Sequence, residues 1–124
     1  MIVEDDANVR EIAVKMLSGL GYKAQAVCDE VEGLAAYDEN RQEIDLVVTD
    51  IVLPRLGGRE LAEALEERNP GVRVLFMSGY DRGQRQLQDL PRSGVGYLQK
   101  PFDLGQLARA VRSGLDGANR PSTA

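Results

Sequence analysis

The sequence predicts an α/β domain, a parallel sheet with helices on both faces. Three observations lead there. Short apolar segments of strand length alternate five times with stretches whose apolar residues recur every three or four positions. Two of those segments, Ile44–Thr49 and Val72–Met77, are nearly continuous apolar runs, as parallel strands covered on both faces must be. The residues with chemistry to offer fall where strands end. At 124 residues, 43% of them hydrophobic, the chain has the size of one domain with its own core.

Taken in order, Ile2-Val3 reads as the end of a first strand, and Asp6 as the cap of the helix behind it. Val9, Ile12, Ala13, Met16, Leu17 and Leu20 form that helix's apolar face, and Gly19 and Gly21 bracket its end. Tyr22–Val27 alternates like a strand, nearer an edge because of Lys23 and Gln25. Val31, Leu34, Ala35 and Tyr37 predict a shorter helix ending near Asn40, before the buried strand Ile44–Thr49. Pro54, Gly57 and Gly58 mark a loop, made mobile by its glycines. Leu61, Ala62 and Leu65 line a helix over Arg59–Arg68, which Asn69-Pro70-Gly71 stops. Val72–Met77 is the fourth strand, and Asp81–Gly94, polar and interrupted by Pro91, is expected to be a short or irregular helix. Val95–Gln99 is the last strand. Leu104, Leu107, Ala108, Val111 and Leu115 form a closing amphipathic helix. The domain therefore spans residues 1–116, with 117–124 a flexible, small and polar tail.

Composition removes several function classes. Asp and Glu outnumber Lys and Arg by 20 to 15, the reverse of the balance a general nucleic-acid binder shows. No apolar run approaches the ~20 residues of a membrane span. Neither nucleic acid nor membrane is an expected partner of this chain. The single cysteine, Cys28, fits a reducing cytoplasm and reads as a small packed hydrophobe. The absence of histidine excludes His-based zinc sites, Ser-His-Asp triads and a phosphohistidine on this chain. Whatever chemistry occurs must use carboxylates, hydroxyls, lysine or a borrowed group.

Short connections and right-handed crossovers restrict the fold to a doubly wound (βα)5 sheet, and the flavodoxin-like order 2-1-3-4-5 is the one expected for it. On that frame Glu4 and Asp5 follow the first strand, Asp50 closes the third, Ser78 the fourth and Lys100 the fifth. All five then lie at the carboxyl edge, where such sheets bind ligands. Singly, an acid there is a helix cap, Ser78-Gly79 a turn, and Lys100-Pro101 ordinary. Together they place three carboxylates in one crevice beside a hydroxyl and an ammonium. A hard divalent cation relieves that repulsion, and Mg²⁺ takes one or two carboxylates plus phosphate oxygens. Lys100 offers a point charge to a phosphate, and Ser78 a hydrogen bond.

These residues resemble the receiver domain of bacterial two-component response regulators. The resemblance rests on Val3-Glu4-Asp5-Asp6, on Asp45-Leu46-Val47-Val48-Thr49-Asp50 with Leu53-Pro54 and Gly58 behind it, on Val74-Leu75-Phe76-Met77-Ser78-Gly79-Tyr80, and on Tyr97-Leu98-Gln99-Lys100-Pro101-Phe102. Spread over nearly the whole chain, these motifs are moderately specific singly and very specific together. The resemblance implies that Asp50 is the phosphoacceptor, and that Glu4, Asp5, Asp50 and the carbonyl of Val52 bind Mg²⁺, Glu4 through water. It implies that Lys100 pairs with Asp50 and then with the phosphoryl group, that Ser78 is the switch hydroxyl, and that Tyr97 follows it inward. Lys100-Pro101 is expected to be cis. The domain then catalyses its own aspartyl phosphorylation and dephosphorylation, a histidine kinase or histidine phosphotransfer domain being the donor. Its output goes to a downstream protein or an attached kinase domain.

Ser78 stands where Thr is commoner, Arg55-Leu56-Gly57-Gly58 is glycine-rich, and the weak Asp81–Gly94 segment puts the usual output face in doubt. The Ser78-Gly79-Tyr80 and Lys100-Pro101-Phe102 phrases most resemble receivers of hybrid sensor histidine kinases, and the abrupt start fits an excised domain of a protein that can be membrane-anchored. A stand-alone single-domain regulator is the alternative. A pseudo-receiver that binds without phosphorylation is the alternative of another class, and a flavin-binding protein is disfavoured by acids where a phosphate loop would lie.

Overall fold

In the computed structural model, residues 1–53, 57–79 and 91–116 are described. Strand β1 (Ile2–Val3) leads to helix α1 (Ala7–Gly19), β2 (Ala26–Val27) to α2 (Glu30–Asn40), and a 3₁₀ turn (Arg41–Glu43) to β3 (Val47–Asp50). Helix α3 (Gly58–Arg68), β4 (Val74–Ser78), β5 (Gly94–Gln99) and α4 (Leu104–Leu115) complete the described elements. The five strands form one parallel sheet, as the alternation of elements predicts, in the expected flavodoxin-like order β2-β1-β3-β4-β5. The helix expected within Asp81–Gly94 lies almost wholly outside the described residues. So do the tail from Gly117, the segment 54–56 and Tyr80.

The strand period of two separates the core into halves. Ile2, Val48, Leu75, Met77 and Leu98 face Ala13 and Leu17 of α1 and Leu107 and Val111 of α4. Val3, Val47, Val74 and Phe76 face Tyr37 of α2 and Leu61, Ala62 and Leu65 of α3. Chain direction explains this division. The connection through α1 runs from β1 to β2, and the one through α2 runs back past β1 to β3. Crossovers of one hand travelling in opposite directions must cover opposite faces. The reversal leaves a crevice between β1 and β3 at the carboxyl edge.

Helix termini follow the sequence. Asp6 caps α1, its side chain accepting from the Asn8 and Val9 N–H groups at 2.9 and 3.2 Å. Asp103 and Gln106 form a reciprocal capping box at the start of α4. Two expectations are corrected. The second strand is not Tyr22–Val27 but Ala26–Val27, because this edge strand pairs only with β1, whose ladder is two residues long. Ile12, Leu20, Val31 and Leu104 are exposed rather than core. In α1 the buried arc centres on Ala13 and Leu17, and Ile12 stands about 100° around the helix from Ala13.

Candidate functional site

Each polar residue at the carboxyl edge is delivered by a strand end. Val3 is the last residue of β1, so Glu4 and Asp5 occupy the turn before the Asp6 cap. Asp50 ends β3, Ser78 ends β4, and Lys100 immediately follows β5. Carboxylate oxygens of Glu4, Asp5 and Asp50 lie within 4.8 Å of one another. Glu4 is 1% exposed and Asp50 7%, while Asp5 sits on the open rim.

Lys100 ties the cluster together. Its main-chain N–H donates to the Ser78 carbonyl at 2.7 Å, extending the β4–β5 ladder by one step. Its ammonium donates to Glu4 Oε1 at 2.7 Å and to Asp50 Oδ2 at 2.5 Å. The peptide bond to Pro101 is cis. The second oxygens of both acids are held by the main chain: Asp6 N–H donates to Glu4 Oε2 at 3.0 Å, and Val52 N–H to Asp50 Oδ1 at 3.1 Å. Among the described residues, no hydrogen bond holds the Asp5 carboxylate.

One ammonium against three carboxylates leaves surplus negative charge. Burial pushes the Glu4 carboxyl above its ordinary value, outweighing the pull of Lys100 and of the Asp6 N–H. Burial pulls the Lys100 ammonium down, but its hydrogen bonds to Asp50 and Glu4 outweigh that and hold it above the usual lysine value. The donor set is entirely oxygen and suits a small hard cation. Direct ligands of one Mg²⁺ at about 2.1 Å can be at most about 4.2 Å apart, so Asp5 and Asp50 would need to close only slightly to share an ion, with Glu4 within reach through water. The cluster fits Mg²⁺.

Ser78 is 3% exposed, and its hydroxyl donates to the Gly79 carbonyl at 2.8 Å rather than toward Asp50. Tyr97 pairs in register with Phe76 and packs on the α2–α3 half of the core. Its hydroxyl is buried and has no hydrogen-bond partner among the described residues. Cys28 ends the second strand's course, its N–H donating to Glu32 Oε1 at 3.0 Å. The Glu32 carboxylate also accepts from the Cys28 thiol itself and so raises it above the ordinary value, the opposite of an activated cysteine.

Two residues at the site escape a reading of the sequence. Arg10 belongs to none of the motifs named from the sequence, yet its guanidinium donates to the Glu4 carbonyl at 2.8 Å. Gly58 reads as loop punctuation, yet it lies against the Asp50 main chain. The first has no sequence signal beyond its place one turn into a helix that follows an acidic turn.

Comparison with known proteins decides the family. The response regulator receiver domain model matches residues 1–112. The chain belongs to the receiver-domain family. A receiver of this kind is a phosphorylation-switched signalling module of two-component systems. This receiver is 35% identical over 117 residues to the sensor kinase CckA of Brucella abortus (strain 2308), covering 94% of the chain and 12% of that protein. It is 33% identical over 113 residues to the response regulator MprA of Mycobacterium sp. (strain KMS), covering 91% of the chain and 48% of that protein. The chain thus spans half or less of these relatives. The receiver domain of the hybrid histidine kinase CckA superposes with a TM-score of 0.77 at 30% identity, covering 92% of this chain and 95% of that one. A receiver-domain protein from Clostridium thermocellum superposes with a TM-score of 0.86 at 21% identity, covering 95% and 94%, which shows the shared fold.

Proposed function

We propose that this receiver accepts a phosphoryl group on Asp50 from a phosphohistidine of a partner protein, with Mg²⁺ bound by Glu4, Asp5, Asp50 and the Val52 carbonyl. The observation that supports it most is the placement of Asp50. It ends the strand beside the switch point, within 4.8 Å of two further carboxylates and in contact with the Lys100 ammonium. A carboxylate oxygen of Asp50 attacks phosphorus, the P–N bond to the donor imidazole breaks, and an acyl phosphate forms. Lys100 stays beside the new group as a fixed cation, which favours the charged transition state without reorganisation. Mg²⁺, when bound, neutralises phosphoryl oxygens and offsets the repulsion among the acids.

Ser78 and Tyr97 carry the signal onward in this reading. The added phosphoryl oxygens offer the Ser78 hydroxyl a stronger acceptor than the Gly79 carbonyl it now uses. Tyr97 follows into the space Ser78 vacates. The likeness to CckA supports a module of a hybrid sensor kinase acting in the cytoplasm on an attached kinase domain or a downstream protein. Residues 1–116 form the domain. No helix among the described residues is long and apolar enough to cross a membrane.

The test is incubation with Mg²⁺ and acetyl phosphate, read by intact mass, beside Asp50→Ala and a phosphorylated histidine kinase core as second donor. One phosphoryl group gained by the parent and none by the variant is the expected result. Equal labelling of the variant assigns the acceptor elsewhere. No labelling from either donor leaves a pseudo-receiver.

Stability tests the metal independently. A ligand that binds only the folded state at ten times its Kd adds about 1.4 kcal/mol, and for a domain of this size that moves Tm by about 3–6 °C. Thermal unfolding in saturating MgCl₂ is expected to show that rise, with none for Asp5→Asn. An unchanged parent Tm excludes an assembled metal site.

A further inference from the structure

We propose that Arg10 is a positioning residue for the acidic cluster, a clamp on the main chain of the turn that presents Glu4 and Asp5. This rests on the reading of those two acids as metal ligands. The three carboxylates are not held equally. Glu4 is fixed by Lys100 and by the Asp6 N–H, and Asp50 by Lys100 and by the Val52 N–H. Asp5 is exposed, and no hydrogen bond to its carboxylate is made among the described residues. The direction in which it points is therefore set by its own backbone.

That backbone has left the sheet. The Glu4 N–H still pairs with the Val27 carbonyl at 3.1 Å, but β1 ends at Val3, and the carbonyls of Glu4 and Asp5 lie beyond the ladder. Arg10 supplies their donor. From α1, one guanidinium nitrogen donates to the Glu4 carbonyl at 2.8 Å and makes a longer contact of 3.5 Å with the Asp5 carbonyl. The Arg10 N–H also bonds the Asp6 carbonyl at 2.9 Å, so the same residue closes the first turn of the helix and reaches back over the turn before it. A planar guanidinium suits this task, because its donors are fixed relative to one another and cannot lose their charge.

The clamp and the bare charge of Arg10 act on a bound cation with opposite signs. As a clamp, Arg10 keeps the Asp5 main chain in place, and its loss weakens Mg²⁺ binding. As a charge alone, it repels Mg²⁺, and its loss tightens binding. A role confined to folding changes Tm and leaves affinity where it was.

The experiment is calorimetric titration of the full chain with MgCl₂, well below Tm, for the parent, Arg10→Met and Arg10→Lys. Amide hydrogen exchange at Asp5 and Asp6 is measured on the same proteins without metal. Arg10→Met is expected to raise the Mg²⁺ Kd about three- to tenfold, the scale of one lost hydrogen bond. It is also expected to speed exchange at both amides. Arg10→Lys, which keeps a donor on a looser stem, is expected to lie between. Unchanged or tighter binding by Arg10→Met overturns the proposal, as does exchange that matches the parent. If the parent itself binds no Mg²⁺, the metal reading fails, and the exchange data alone decide whether the clamp exists.

Discussion

Replacing Lys100 with Met is expected to lower the free energy of unfolding at pH 7 by about 2–4 kcal/mol, slightly under the range for breaking a fully buried ion pair. The discount reflects side-chain exposures of 20% for Lys100 and 10% for Asp50. Glu4, 1% exposed, and Asp50 would then face each other without a cation. The loss is expected to depend on pH in a definite direction. The Glu4 carboxyl sits above its ordinary value even with Lys100 present. A carboxyl raised on folding contributes stability below its unfolded pKa, and that contribution is lost as pH rises through the folded value. Without Lys100 the folded value climbs further, so the deficit of the variant is small in acid and grows toward neutrality. At the other end, Lys100 is held above 10.5, so its contribution in the parent persists throughout the neutral range and fails only in strong alkali.

Urea titrations of both proteins at pH 4.5, 7 and 9 check this, with m compared so that a change in the unfolded state is not mistaken for stability. Parallel ΔG–pH curves would show that the ion pairs carry no net stability. Added Mg²⁺ is expected to restore part of the deficit, since a divalent cation among the acids replaces the missing charge. It cannot restore phosphorylation, because Lys100 is the fixed cation beside the phosphoryl group in the proposed reaction. Recovery of stability without recovery of labelling therefore separates the structural role of this lysine from its chemical one.

How much of this could be read from the sequence varies by kind of interaction. The parallel, doubly wound sheet was legible because it follows from alternation and handedness, and because Val47, Val48, Leu75 and Phe76 stand in short apolar runs that suit doubly covered strands, while the strand order itself came from the flavodoxin-like pattern. The convergence of Glu4, Asp5, Asp50 and Lys100 was legible for the same reason, since the topology sends strand ends to one edge. Boundaries set by pairing were not. Tyr22–Gln25 alternates like a strand, but an edge strand lasts only as long as its partner offers hydrogen bonds. Nor were contacts to the main chain. Arg10 and Gly58 act on carbonyl groups, which every residue has, so nothing in the side-chain pattern marks their targets.

Gly58→Ala is expected to cost about 3 kcal/mol or more, at or above the upper end for overpacking. The glycine pair at 57–58 reads from the sequence as a loosened loop, but the two do different work. Gly57 has φ +93° and ψ 159°, a backbone conformation that side chains disfavour. Gly58 needs its missing side chain for space: a Cβ would stand 2.2 Å from the Asp50 carbonyl oxygen and 3.0 Å from the Ile51 Cα. Those atoms belong to main chain tied on both sides. Ile51 N–H bonds the Met77 carbonyl at 2.9 Å, and Gly58 N–H bonds the Ile51 carbonyl at 2.7 Å. A methyl group there must push the start of α3 off the end of β3 or tilt Asp50 itself. The first outcome loosens Leu61, Ala62 and Leu65, which are wholly buried. The second moves the carboxylate relative to Lys100 and Glu4. Gly19→Ala is the matched control, because a Cβ at that helical position meets nothing within 4 Å, and the change should be neutral or stabilising by up to about 1 kcal/mol. Denaturant unfolding of both variants, with phosphorylation of whatever folded Gly58→Ala remains, tests the argument. Equal stabilities would mean that α3 can retreat from Asp50 at no cost. A stable Gly58→Ala that labels as fast as the parent would mean that the position of Asp50, the proposed acceptor, does not depend on this contact.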